Sequence, residues 1–206
     1  MKKTALVFVL LSLTATSCLY AQKDEGQNKY NQLGITFSAF GDNYLVSFQP
    51  LEGAASYNAD KFFTIGINYL HQLNKTFDIE TAFEYSKHYI TIEPNVPPDM
   101  DDTPYGAEFS LINIPVTIRA NFLRYCFANG GLLLGIDPAV SGPVDSQSGI
   151  GAIIGLGLKY DSKSGVSVFV NPYGKVHSLI SFSNDDQQQH LLESGFRFGI
   201  MYRLNK

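Results

Sequence analysis

The feature that most constrains this chain is a period of two. In residues 194–204, Phe196, Phe198, Ile200, Tyr202 and Leu204 fall on one side of an extended backbone, and Arg197, Gly199, Met201 and Arg203 fall on the other. Successive side chains of a strand point to opposite faces, so this spacing gives one apolar and one mostly polar face. Residues 149–160 repeat the pattern. Ile150, Ala152, Ile154, Leu156, Leu158 and Tyr160 alternate with Gly149, Gly151, Ile153, Gly155, Gly157 and Lys159. The glycines are spaced G-x-G-x-x-x-G-x-G with no helical pattern after them, which is not the dinucleotide-binding fingerprint. They suit the inside of a small barrel, where a missing side chain makes room for a bulky neighbour.

Six further stretches read as strands. Phe63, Ile65, Ile67 and Tyr69 oppose Thr64, Gly66 and Asn68. Phe77, Ile79, Phe83, Tyr85 and Tyr89 oppose Asp78, Glu80, Glu84 and His88. Ile112, Ile114, Val116, Ile118 and Phe122 oppose Asn113, Thr117, Arg119 and Asn121. Val166, Val168, Val170 and Val176 oppose Ser167, Asn171, Tyr173, Lys175 and His177. Residues 33–40 alternate more briefly, and in residues 125–136 the run Leu132-Leu133-Leu134 fits either phase. Pro115 and Pro172 fall inside strands, and each predicts a local bulge or an unpaired carbonyl.

The connections sort by length. Short ones fall at residues 73–76, 123–124 and 161–164, and long polar ones at 49–59, 93–106, 141–148 and 183–192. Eight strands with both ends at one rim need three short turns and four long loops, the division seen in outer-membrane barrels. The expected fold is all-β: an eight-stranded antiparallel up-and-down transmembrane β-barrel spanning residues 32–206.

The polar face carries charges of both signs, and an eight-stranded lumen is just wide enough for side chains. Charges enclosed there need partners. The expected lumen network is Glu80, Glu84, Arg119, Arg197 and Arg203, with Glu80 and Glu84 set against Arg119 and Arg197. Tyr69, Phe77, Phe122, Tyr125, Tyr160 and Tyr202 lie near strand ends, as interfacial aromatic girdles do.

The N-terminus has the order of a secretory leader: Lys2-Lys3, an apolar run from Ala5 to Leu13, and Ala21 before Gln22. Residues 1–21 are read as a signal peptide and 22–31 as a polar lead-in. Ala15-Thr16-Ser17-Cys18 also resembles a lipoprotein box, without the usual leucine three places before the cysteine. After cleavage at Ala21, Cys126 is the remaining cysteine, so the fold is no disulfide scaffold. A net charge of −4 gives no basic footprint for nucleic acid. No stretch after the leader has the 18 consecutive apolar residues of a helical span.

Together, the leader, the lead-in, residues 111–122 (LINIPVTIRANF), the Gly-rich strand and residues 198–204 (FGIMYRL) resemble the small outer-membrane barrel domains common in Bacteroidetes, often described as PorT-like. The resemblance implies an outer-membrane location in a Gram-negative bacterium and makes Pro115 a family feature. Some members are implicated in secretion or gliding machinery, so an outer-membrane secretion component is one alternative. A soluble periplasmic lipid-binding barrel with its apolar face inward is another.

Candidate chemistry is sparse. His88 and His177 fall on inward faces. His177 and Ser178 are adjacent, and so are expected on opposite faces and unable to form a nucleophile–base pair. Asp99, Asp101 and Asp102 share a loop that reads as solvated acidic chain rather than a calcium site, and Asp185-Asp186 read the same way. Asn74-Lys75-Thr76 reads as turn chemistry. The expectation is a non-enzymatic structural or binding protein without metal or cofactor. It would contact outer-membrane lipid, reach an envelope protein partner through its external loops, and have a plugged lumen.

Overall fold

The computed structural model describes residues 29–47, 56–95, 102–139, 144–183 and 188–204. The leader, Cys18, most of the lead-in, Asp99, Asp101, Asp185 and Asp186 lie outside them. Eight strands follow in chain order: β1 Asn31–Ser47, β2 Ser56–Gln72, β3 Phe77–Glu93, β4 Tyr105–Phe122, β5 Cys126–Ile136, β6 Gly149–Asp161, β7 Val166–Ser181 and β8 Gln189–Arg203. Each pairs antiparallel with the next, and β1 pairs with β8 to close the barrel. The expected eight-stranded up-and-down barrel is the fold observed. Several strands run further than the alternation alone indicates, chiefly at the rim of the long loops.

The barrel is inside out relative to a soluble protein. Ile35, Ile67, Ile118, Ile154, Leu156 and Ile200 point outward and are more than half exposed, while Asn68, Glu84, Asn113, Asn171 and Glu193 are completely buried. The ambiguous leucines resolve with Leu132 outward and Leu133 inward at 0% exposure. All six expected girdle aromatics are exposed near the short-turn rim.

Ladder register shows how the ring is staggered. Starting at Gln32, partners run through Leu70, Glu80, Thr117, Gly131, Ile153, Lys175 and Glu193 and return to β1 at Asn43, not Gln32. Closing a sheet requires such a stagger, with tilted strands. It sets residues distant in sequence side by side in the lumen.

Both prolines interrupt pairing without shifting register. β3 and β4 skip from Thr81↔Val116 to Glu84↔Asn113, around Pro115. β6 and β7 skip from Gly155↔Tyr173 to Leu158↔Val170, around Pro172. The expected bulges are absent there, and each proline's own carbonyl accepts a side-chain hydrogen bond. Thr81 Oγ1 donates to Pro115 O at 3.0 Å, and Asn171 Nδ2 to Pro172 O at 3.2 Å.

The turns have identifiable causes. Asn74 Oδ1 accepts from the amides of Thr76 and Phe77, both at 2.8 Å, which is an Asx-type turn. Gly165 sits at φ 90°, a conformation costly for other residues. Two inward glycines make room for rings. A Cβ on Gly157 would lie 2.2 Å from the Phe127 ring, and one on Gly199 2.2 Å from the Phe169 ring.

Candidate functional site: the charged lumen

From the short-turn rim upward, the lumen is layered. Tyr30 stands first, with the Arg203 guanidinium 4.2 Å from its ring centre. Burial, and next the nearby Asp78, pushes the Tyr30 hydroxyl up to about 12. Above it, Leu70, Phe127, Phe169 and Met201 form an apolar layer to which Tyr30 also packs.

The lower ionic layer centres on Glu80. Arg119 donates to Glu80 Oε2 through Nη2 at 2.6 Å and Nε at 3.2 Å. Arg197 Nη1 lies 3.2 Å from Glu80 Oε1, and Asn68 Nδ2 donates to the same oxygen at 2.9 Å. The guanidinium of Arg119 lies 4.1 Å from the Phe127 ring centre, and that of Arg197 lies 5.4 Å from Phe169. One carboxylate thus holds two arginines, which also pack on aromatic faces that attract cations. Asn171 links Arg197 to Asn129.

The upper ionic layer differs from the expected pairing. Glu84 faces Lys175 and not an arginine: Lys175 Nζ donates to Glu84 Oε2 at 2.8 Å and lies 3.4 Å from Glu193 Oε1. The Tyr173 hydroxyl also donates to Glu193 Oε1. Arg203 stands apart from both layers, at the short-turn rim over Tyr30. The stagger is the reason: it puts Lys175 and Glu193 opposite each other and carries Glu84 to them across the lumen. Glu193 falls one residue outside the stretch of clear alternation, 194–204. Its alternation with Leu191, Gly195 and Arg197 on the inward face was the available signal.

His88 and His177 approach Glu193 Oε2 at 3.6 and 3.5 Å. His88 is sandwiched between the rings of Phe62 and Phe109, near-parallel to both. His177 and Ser178 are both buried, contrary to the expected opposite faces. Ser178 has φ 52°, which turns its side chain inward beside its neighbour. Its hydroxyl contacts Ser148 O and Gln188 Nε2. No hydrogen bond joins it to His177, so the pair lacks the contact that activates a nucleophile.

Toward the long-loop rim the described lumen is lined by apolar and amide groups. Ile90, Ile92, Phe109, Leu111 and Leu191 form a buried cluster, with Leu45, Ala107 and Val144 against it. Gln147, from the β5–β6 connection, is fully buried; its Nε2 donates to Gln189 O at 2.8 Å and its Oε1 accepts from Leu191 N at 2.8 Å. Asp102 is exposed. Among the described residues no group of three histidine, cysteine or carboxylate side chains is arranged to hold a metal ion.

Solved structures with a similar course of chain are outer-membrane proteins. AlkL, determined by solid-state NMR in lipid bilayers, superposes with a TM-score of 0.54 at 12% identity, over 89% of this chain and 94% of AlkL. OprG from Pseudomonas aeruginosa gives 0.42 at 10% identity over 86% and 96%, and Ail of Yersinia pestis 0.41 at 12% over 84% and 99%. No protein-family model and no curated protein matches the sequence, and nothing ties the chain to the PorT-like domains it resembles. At these identities the likeness to AlkL is one of fold alone. On its register, its orientation of side chains and that likeness, the chain has the fold of a small eight-stranded outer-membrane β-barrel.

Proposed function

We propose that the protein resides in the outer membrane of a Gram-negative bacterium as a non-enzymatic barrel, with a sealed lumen and its binding surface in the external loops. One observation carries this reading: the apolar residues ring the outside while the ionic layers are inside. An isolated buried charge is very costly, and an exposed apolar belt of this extent has no stable place in water. Lipid outside and paired charges inside resolve both. A soluble lipid-binding barrel needs its apolar face inward, the reverse of what is observed. The stacked apolar and ionic layers favour a lumen without a through-going water path, and the serine–histidine contact there, Ser86 Oγ to His88 Nε2 at 3.0 Å, is completely buried beside the Phe62 and Phe109 rings, where a nucleophile would meet no substrate. That leaves the four long loops as the surface for an envelope partner.

The test is extraction of the membrane fraction with detergent, followed by electrophoresis with and without boiling. A barrel migrates faster before boiling than after. Recovery as a freely soluble periplasmic protein with no such shift would refute the reading.

A further inference from the structure

The three short turns lie wholly within the described residues, and each carries one cation and no carboxylate: Lys75 in 73–76, Arg124 in 123–125 and Lys163 in 162–165. All three residues are exposed. Lys75 is also engaged locally, and its charge stays at the surface. Backbone bonds tie the turns to the strands beside them. Asn121 N donates to Thr76 O at 2.6 Å, Lys159 N to Tyr125 O at 2.7 Å and Arg203 N to Gly165 O at 2.9 Å. The cations thus spring from a fixed ring of backbone at one rim.

Among the described residues, the carboxylates nearest these turns are already engaged. Asp78 is buried in the lumen, where it accepts from Asn121 Nδ2 at 2.7 Å. Asp161 accepts from Ser167 Oγ at 2.6 Å and lies 3.5 Å from Lys159 Nζ. The opposite rim has the other sign. Asp42, Glu93, Asp102 and Glu108 are exposed toward it, against an exposed Lys61 and a Lys87 held 2.9 Å from Glu108. A chain of net charge −4 thus gathers positive charge at its short turns.

Each cation stands just beyond the aromatic girdle. Lys75 precedes the exposed Phe77, Lys163 follows the exposed Tyr160, and the Arg124 guanidinium lies 5.3 Å from the Tyr125 ring centre. Leu123, at the tip of its turn, is 82% exposed. Girdle rings sit at headgroup depth, so the turns that end the apolar belt set cations at the level of lipid phosphates. We propose that the three turns form a collar for anionic phospholipids, in which Lys75, Arg124 and Lys163 take the headgroup phosphates while Leu123 and the girdle rings take the glycerol and upper acyl chains. This rests on the outer-membrane reading, which puts the short turns at the periplasmic, phospholipid leaflet. Continuity with the apolar belt favours a lipid over a dissolved polyanion, which needs no greasy residue beside each charge.

Electron spin resonance on the full barrel in phosphatidylcholine bilayers tests this, with a trace of spin-labelled phosphatidylglycerol or spin-labelled phosphatidylcholine. The lipid immobilised at the wall should favour phosphatidylglycerol by about twofold or more, since a preference of about fivefold per cation is diluted by wall sites away from the turns. Lys75→Gln, Arg124→Gln and Lys163→Gln together should bring the ratio close to parity, whereas Lys61→Gln at the other rim should leave it unchanged. Migration before and after boiling reports, for each sample, whether the barrel has folded. Parity in the unsubstituted, folded barrel overturns the collar while the outer-membrane reading stands, and does so even if the triple variant does not fold; absence of the heat shift overturns both. An equal loss from Lys61→Gln overturns the collar too. So does displacement of the labelled lipid by millimolar glycerol phosphate, which would make this a site for dissolved phosphate.

Discussion

Glu80 shows how a single residue organises the lumen. It is 2% exposed and bonds two arginines and an asparagine. Removing one partner of a buried ion pair leaves the others uncompensated, at about 3–5 kcal/mol. Glu80→Ala should therefore lower unfolding stability by about that much, measured by denaturant titration in lipid vesicles. Lys175 plays the same part above. Lys175→Met leaves Glu84 and Glu193 together without their cation, and should be strongly destabilising. Adding Glu84→Gln should recover part of the loss, and a double-mutant cycle would measure the coupling. If the second change only added to the first, the two would not be energetically linked. The existence of inward charge was legible from alternation alone, because Glu80, Glu84, Arg119 and Arg197 share parity with their buried neighbours. Their partners were not, because pairing across a lumen depends on the stagger, which no single strand records.

At the scale of elements, glycine placement separates two kinds of constraint. Gly157 and Gly199 are cut-outs for rings, so Gly157→Ala should overpack Phe127 and cost about 1–3 kcal/mol, read as a lower denaturation midpoint. Gly41 is a backbone constraint, in the bulge where the β1–β8 register shifts between Ala39 and Asp42. Gly41→Ala drives a methyl into Ser194 O and should disrupt the β1–β8 pairing above the bulge. Amides of residues 44–47 would then lose exchange protection while those of 33–38 keep theirs; unchanged protection of 44–47 would show that the bulge tolerates a side chain. The strands were legible where one face meets lipid and the other the lumen, because the two environments demand opposite residues. Legibility failed at the external ends, such as residues 41–47 and 189–193, where both faces are mixed and the alternation blurs. It failed again at Ser178, where positive φ reverses one side chain without any mark in the pattern.

For the whole molecule, the layers predict an electrically silent protein. Reconstituted in planar bilayers it should give no stable conductance steps, and regular single-channel openings would show that the layers part enough to admit ions. Loop-length sorting fixed the strand number and put both ends at one rim, since eight strands with three short turns allow little else. What the loops bind was not legible. Their residues are solvated and carry no periodic constraint, and part of them lies outside the described structure.

The alternation also has a consequence for the journey of the chain. With mean hydropathy of −0.03, it spreads its greasy residues so that polar residues and glycines break them into short runs in every strand. A translocation machinery that halts on long greasy runs finds no reason to stop at such strands, and the unfolded chain stays compatible with water. Only on folding do the apolar residues collect on one surface. The same polypeptide is then at home in water until its strands close, and in lipid afterwards.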